Sequence, residues 1–250
     1  SPTNIGLQLL ATVSAHDLGL IPLEEMTDRL EKAFATLARL TRFRGHFLNW
    51  YSLPDLGVLE PGYVSTVDSG NLAGHLLALR QACLDLGAAA AAESPPLAAR
   101  LTHLADCAER LALDMDFTFL YDGTSKLLRI GFNTATHQLD ESSYDLLASE
   151  ARLASFVAIA KRDVAPEHWF HLGRALTLAH GHAALVSWSG SMFEYLMPLL
   201  VMRAFPETLL WRTYEGAVER QVRYGASRNV PWGVSESTYH VRDRHLTYQY

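Results

Sequence analysis

Apolar residues recur along much of this chain at about 3.6 positions per turn, a spacing that predicts helices. The first stripe is Leu23, Met26, Leu30, Leu37 and Leu40, opened by Pro22 with Glu24 and Glu25 in its first turn and closed by Arg39, Arg42 and Arg44. A second stripe, Leu72, Leu76, Leu79, Cys83 and Leu86, follows Asp68 or Ser69 as its cap. Ser94-Pro95 opens a third, through Leu97, Leu101, Leu104, Ala108, Leu111 and Met115. Two further helices are expected over about 142–161 and about 207–224. Strand signals are few: an Asp122-Gly123 turn between short apolar runs in 119–133, and a possible hairpin around Gly181 in 175–188. The pattern therefore predicts a mainly α chain with a few short β-hairpins. No long linker or short repeat divides it, so residues 1–250 are expected to form a single layered α/α domain.

Composition narrows the classes of function. With 250 residues, 49% hydrophobic and 19% charged, the chain is a core-forming protein rather than a disordered one. Its net charge of −6 is spread without long blocks of either sign, so nucleic acid is not an expected partner. Cys83 and Cys107 both fall on apolar helical positions and read as small core residues in a reducing compartment, not as a disulfide. The stretch 175–202 is poor in charge, but His180, His182, Pro198 and a central Glu194 disqualify it as a membrane span. Ser1-Pro2-Thr3 carries neither a basic n-region nor a cleavage site, so the segment reads as soluble, within a parent that can itself be membrane-bound.

Three acids stand out. Glu194 is the sole formally charged side chain between Arg174 and Arg203, and Met192, Phe193, Tyr195, Leu196 and Met197 surround it in sequence. Such a carboxylate either has a raised pKa, as a general acid requires, or is a structural group hydrogen-bonded to backbone or arginine. Glu236 lies in Pro231-Trp232-Gly233-Val234-Ser235-Glu236-Ser237-Thr238-Tyr239, where aromatic faces flank an acid; that grouping suits sugars, and equally a helix N-terminus beside a serine cap. Glu150 sits on the stripe Leu146, Glu150, Leu153, Val157 with Asp145 five residues earlier; an inward acid there lines a pocket or pairs with Arg152.

Trp50 and Tyr51, then the run Tyr63 to Asn71 containing Asp68, offer stacking faces, hydroxyls and amides for a polyol, although capping also explains Asp68 and Ser69. Trp188 among serines has the same two readings. The histidine pairs His168/His171 and His180/His182 lack a His-Glu-x-x-His pattern or a cysteine pair, so no metal is expected. Gly-x-Gly-x-x-Gly, Walker and Gly-x-Ser-x-Gly patterns are absent as well, and no cofactor is expected.

Several blocks resemble a known family. Asn49-Trp50-Tyr51, Val64-Ser65-Thr66-Val67-Asp68-Ser69-Gly70-Asn71-Leu72-Ala73-Gly74, Tyr144-Asp145-Leu146-Leu147-Ala148-Ser149-Glu150-Ala151-Arg152, Trp188-Ser189-Gly190-Ser191-Met192-Phe193-Glu194-Tyr195 and Pro231-Trp232-Gly233-Val234-Ser235-Glu236-Ser237 are similar to the glucoamylase-like region of bacterial cyclic β-1,2-glucan synthases. The resemblance spans nearly the whole chain. It implies an (α/α)6 barrel, incomplete here because the family's domain continues past Tyr250, and a role in cyclising β-1,2-glucan by intramolecular transglycosylation. It also implies a glucan chain and the other regions of a large synthase as partners, on the cytoplasmic side of the inner membrane. Glu236 and Glu194 are then the expected catalytic acids, with Trp50, Tyr51, Asp68, Asn71, Asp145, Glu150, Trp188, Trp232 and Tyr239 on the sugar. A β-1,2-glucanase-like hydrolase and a non-catalytic glucan-binding or scaffold module are the alternatives.

Overall fold

The computed structural model of the chain describes residues 1–179, 182–235 and 244. It divides into two compact units, Ser1–Tyr144 with Leu153–His171, and Asp145–Arg152 with Leu172–Tyr250.

The first unit is built around one helix. Its elements begin with α1 (Pro2–Asp17), α2 (Leu23–Leu37), the hairpin β1 (Arg42–Phe43) and β2 (His46–Phe47), β3 (Tyr63–Ser65), α3 (Thr66–Ala90) and α4 (Pro95–Asp114). Ser65 rather than Asp68 or Ser69 caps α3, its hydroxyl accepting the Asp68 N–H at 3.2 Å. Leu72, Ala73, Leu76, Leu79 and Cys83 are wholly buried, and so are Asn71 and His75, so α3 has no solvent stripe along its first half. Small residues let its neighbours close in. A Cβ on Gly70 would fall 2.2 Å from the Cα of Ala154, in α5 (Arg152–Ala160), and one on Gly6 of α1 would fall 2.4 Å from His75 Nδ1.

The stripe pattern assigned no helix before Pro22, and α1 shows why. Its buried face is Thr3, Gly6, Leu9 and Val13, too poor in large apolar residues to read as a stripe. The helix expected to reach Arg44 stops at Leu37: Arg39 and Leu40 donate to Thr36 O and Leu37 O in tight turns, and Arg44 and Gly45, at positive φ (48° and 82°), form the two-residue turn of the β1–β2 hairpin.

The unit continues through β4 (Tyr121–Asp122), β5 (Leu127–Leu128), β6 (Gly131–Asn133), β7 (Gln138–Leu139) and α6 (Glu167–His171). The Asp122-Gly123 turn forms as expected between β4 and β5, with Asp122 accepting the Thr124 N–H at 3.0 Å. β6 pairs antiparallel with β3 and β7. The helix expected over 142–161 exists only from Arg152: Ser142 accepts the Ile130 N–H at 3.0 Å, Leu146 donates to Gly173 O at 3.1 Å, and Ser149 has φ 50°. That backbone is committed to loop pairings before a helix can start. Both cysteines are free, but only Cys83 is a core residue; Cys107 is half-exposed on α4, its sulfur 3.2 Å from Arg110 Nη2.

The second unit contains the hairpin β8 (Leu176–Ala179) and β9 (His182–Leu185), then α7 (Met192–Leu196) and α8 (Leu209–Arg228). The hairpin stands where the pattern placed it, with Leu176 opposite Leu185 and Ala179 opposite His182. Thr208 caps α8 by accepting the Trp211 N–H at 3.2 Å, and Glu207, at φ 64°, lies outside the helix. Thr213 fastens α8 to β9: its hydroxyl accepts the Leu185 N–H at 3.0 Å and donates to Leu209 O at 2.8 Å. Among the described residues no helix is long and apolar enough to cross a membrane.

Two stability predictions follow from the burial of α3. Gly70→Ala drives a methyl group into backbone atoms of Ala154, and denaturant titration should show a loss of about 3 kcal/mol; an unchanged midpoint would contradict the packing. Burial lowers His75 from 6.5 to about 4, as it does His46. Below pH 6.5 the unfolded chain takes up protons that the folded chain refuses, so stability falls as pH drops toward 4. His75→Leu should remove about 1.6 kcal/mol of the loss between pH 6.5 and 5, measured as the difference between denaturation curves at the two pH values.

Candidate active site

The sequence presents Glu194 among apolar neighbours, but its neighbours in space are hydroxyls and amides. Ser191 caps α7, accepting the Glu194 N–H at 3.2 Å, while the Glu194 carboxylate reaches back to the Ser191 N–H at 3.3 Å, a reciprocal capping box. The same carboxylate accepts the Ser187 hydroxyl at 2.9 Å, the Ser189 hydroxyl at 2.7 Å and the Ser189 N–H at 3.0 Å. Burial, which leaves Glu194 3% exposed, opposes ionisation, yet the Ser189, Ser187 and Ser191 donors outweigh it and hold the carboxyl below the usual carboxylate range. Of the two readings of Glu194, a raised pKa or a hydrogen-bonded structural group, the lowered pKa and the donors fit the second: it is an anchored carboxylate.

Arg152 extends this arrangement. It is 1% exposed, donates from Nη1 to Glu194 O at 2.9 Å and from Nη2 to Tyr195 O at 2.6 Å, and its guanidinium lies 5.6 Å from the centre of the Tyr214 ring. Two residues earlier, Glu150 lies in the turn before α5 and not on a helical stripe; it is 4% exposed and its Oε2 accepts the Ser149 hydroxyl at 2.9 Å. Asp145 is exposed, its carboxylate against Gly173, where a Cβ would meet Oδ1 at 2.3 Å.

The chain beyond α8 runs back along this unit. Val234 donates its N–H to Gln221 Oε1 at 2.9 Å, and its carbonyl accepts the Met192 N–H at 3.0 Å. Trp188 and Trp232 are both more than half exposed, available for stacking rather than core packing. Glu236 and Tyr239 lie outside the described residues, as do His180, of the pair His180/His182, and Gly181.

In the first unit, Trp50 is also more than half exposed and borders a groove with Ile5, Leu9, Leu37, Leu40 and Leu53. Tyr51 holds its own loop, donating to Thr41 O and accepting the Leu48 N–H, each at 2.7 Å. Asp68 accepts the Thr3 hydroxyl at 2.6 Å, and buried Asn71 donates to that hydroxyl at 3.1 Å, so both fasten α1 to α3. His168 is buried, with Nδ1 2.9 Å from Lys126 O and Nε2 2.9 Å from Ser155 Oγ; His171 Nδ1 is 2.8 Å from Glu167 O. Among the described residues no group of three His, Cys, Asp or Glu is placed to hold a metal.

Sequence reasoning missed Gln221 and the serine shell. The shell carried a signal: Ser191-Met192-Phe193-Glu194 has the Ser-x-x-Glu spacing of a capping box. Gln221 carried none, since its partner, thirteen residues on, is a backbone amide. Removing the anchored carboxylate leaves several buried donors unsatisfied, so Glu194→Ala should cost about 2 kcal/mol or more in denaturant titration, with Glu194→Gln retaining part of it. Equal stability of all three proteins would contradict the anchor.

No family model matches the sequence. The chain is 35% identical over 364 aligned residues to the cyclic β-(1,2)-glucan synthase NdvB of Rhizobium meliloti, a match that takes in 100% of the chain and 13% of the synthase. Among solved structures it superposes on the endo-β-1,2-glucanase of Chitinophaga pinensis, in complex with sophorotriose and glucose, at a TM-score of 0.70 and 16% identity, covering 97% of this chain and 60% of that one. For a mutant of the Talaromyces funiculosus endo-β-1,2-glucanase with β-1,2-glucan the TM-score is 0.76 at 13% identity, with 99% and 57% covered. The β-1,2-glucanase of Parabacteroides distasonis gives 0.69 at 14%, with 99% and 40% covered. Two likenesses coincide: along its whole length the chain is similar in sequence to one segment of a cyclic β-(1,2)-glucan synthase, and it carries the mainly helical, glucoamylase-like α/α-barrel fold of the β-1,2-glucanases, of which it spans a part.

Proposed function

We propose that this chain belongs to the cyclisation region of a cyclic β-1,2-glucan synthase, where it cuts a linear β-1,2-glucan and joins the freed end to the same chain's other end. The observation that carries this is the end-to-end similarity to a synthase segment on a fold shared with glucanases. The other regions of the synthase are its partners, and the cytoplasmic face of the inner membrane its place.

The chemistry follows from the linkage. A β-linkage is broken and a β-linkage is made, so the anomeric carbon keeps its configuration, and retention calls for two displacements through a covalent glycosyl-enzyme. One acid protonates the leaving glycosidic oxygen as the C–O bond breaks; a carboxylate attacks the anomeric carbon. The acceptor hydroxyl of the same glucan then displaces that carboxylate and gives its proton to the first acid. Glu236 takes the acid/base role, and Trp232 and Tyr239, near it in sequence, are the aromatics proposed to stack on sugar. Glu194 was the expected second carboxylate, but its serine donors commit it. Glu150, buried with its Oε2 accepting the Ser149 hydroxyl, takes that role instead. Retention requires the two carboxyls about 5–5.5 Å apart. Trp188 stacks on the glucan in the second unit, and Trp50 offers a further stacking face in the first. Excluding water in favour of a sugar hydroxyl separates cyclisation from hydrolysis.

Incubation of linear β-1,2-glucan with the protein should release rings, each one water lighter in mass than the linear chain of equal length and without a reducing end. Glu236→Gln and Glu150→Gln should each lower this by about 10³-fold or more while leaving glucan binding intact, and Glu194→Gln should retain most of it. Linear products alone would make the protein a hydrolase; binding without cleavage would make it a glucan-binding module.

A further inference from the structure

We propose that Arg152 is a positioning residue for Glu150, a buried positive charge that favours the attacking anion, an inference that rests on Glu150 being the nucleophile of the reaction above. The two residues flank the start of α5, Glu150 in the turn before it and Arg152 as its first residue, and both are buried. Ser149, at φ 50°, turns the chain into this junction, and the Ala151 N–H between them donates to Ala148 O at 3.3 Å.

The partners of Arg152 hold its guanidinium without neutralising it. Nη1 and Nη2 donate to the main-chain oxygens of Glu194 and Tyr195, at 2.9 and 2.6 Å, and the buried Nε meets no hydrogen-bond partner among the described residues. The Glu194 carboxylate is taken up by Ser187, Ser189 and Ser191 instead. The ionisable groups that act on Arg152 are Tyr214 of α8, Glu150, and Glu194 of α7: burial pulls the guanidinium pKa down, and they oppose it in that order. A Coulomb interaction is mutual, so a cation that Glu150 stabilises favours the Glu150 anion in return. Glu150 needs that anion twice. It attacks as one, forming its O–C bond as the glycosidic C–O bond breaks, and becomes one again when the acceptor hydroxyl displaces it and passes its proton to the acid/base. Arginine keeps its charge over the whole range in which a carboxyl titrates, so the effect is present throughout.

The test measures kcat/KM on linear β-1,2-glucan against pH for the wild type, Arg152→Gln, Arg152→Lys and Glu150→Gln in the full chain. Arg152→Gln keeps an amide donor for the carbonyls and removes the charge: its acidic limb should move up by about one pH unit, a loss of about tenfold on that limb, with the plateau above it within about threefold of wild type. Arg152→Lys keeps the charge but cannot reproduce the two-carbonyl fork, and should leave the limb within about 0.3 pH unit and the plateau within about threefold. A merely structural arginine would lower stability, or activity evenly across pH, with the limb unmoved. In an active enzyme that Glu150→Gln silences, an unmoved limb in Arg152→Gln, or an equal rise in Arg152→Lys, overturns the inference and leaves the functional reading standing. Should Arg152→Gln not fold, Arg152→Lys decides: an unmoved limb and retained plateau support the charge, and loss of fold or of activity at every pH makes the residue structural and overturns the inference. A wild type that leaves the glucan uncut overturns the functional reading, and a Glu150→Gln variant that cuts as fast overturns the assignment of Glu150; the role of Arg152 falls with either.

Discussion

The close approach of helices to α3 is the constraint on which the first unit depends. A helix buried on several sides presents small residues where neighbouring backbones cross, and Gly70 against Ala154 is the tightest such crossing described here. Everything that meets α3 inherits this geometry. Thr3, Asp68 and Asn71 fasten α1 to its first turns, and Ser65, its cap, is the last residue of β3, so the sheet and the helix share one junction. Thr3, Asp68, Asn71 and Ser65 each make a hydrogen bond there, which offsets the cost of burying polar groups.

Glu194 illustrates why an acid's sequence neighbours are a poor guide to its chemistry. Within a short helix the adjacent side chains point in different directions, while residues three, five and seven positions earlier fold back over the helix N-terminus. Those positions are Ser191, Ser189 and Ser187, and their donors reverse the effect of burial on the carboxyl. Burial raises a carboxylate's pKa only where solvent is replaced by nothing; here it is replaced by hydroxyls and amides.

The elements legible in the sequence are those whose signal is local. The stripe through Leu30, the Ser94-Pro95 start, the Asp122-Gly123 turn and the β8–β9 hairpin each depend on residues within a few positions of one another, and all four stand in the structure. Helix α1 was not legible because its buried face is made small by its partner, His75, which lies far along the chain. The false helix before Arg152 failed for a related reason: its apolar period is real, but its backbone groups are bonded to residues near 130 and 173, where no local pattern points. At the candidate site, the acids and tryptophans could be read as residue types, whereas Gln221 and the donors around Glu194 act through backbone contacts that leave a weak trace in sequence or none.

Those donors also join features that the sequence presents separately. Arg152, two residues from Glu150, binds the carbonyls of Glu194 and Tyr195; the Glu194 side chain gathers Ser187, Ser189 and Ser191; and from that loop Gly190 and Met192 reach Gln221 and Val234, two residues before Glu236. The network is continuous within the second unit, and its members are hydrogen-bonded in series, a condition under which polar groups stiffen one another. An acid at its centre has to stay ionised to keep every donor satisfied, whereas an acid that transfers a proton has to change state. The two tasks conflict in one side chain. Glu194 performs the first: its serine and amide donors hold it ionised, which is a physical reason for burying a carboxylate there.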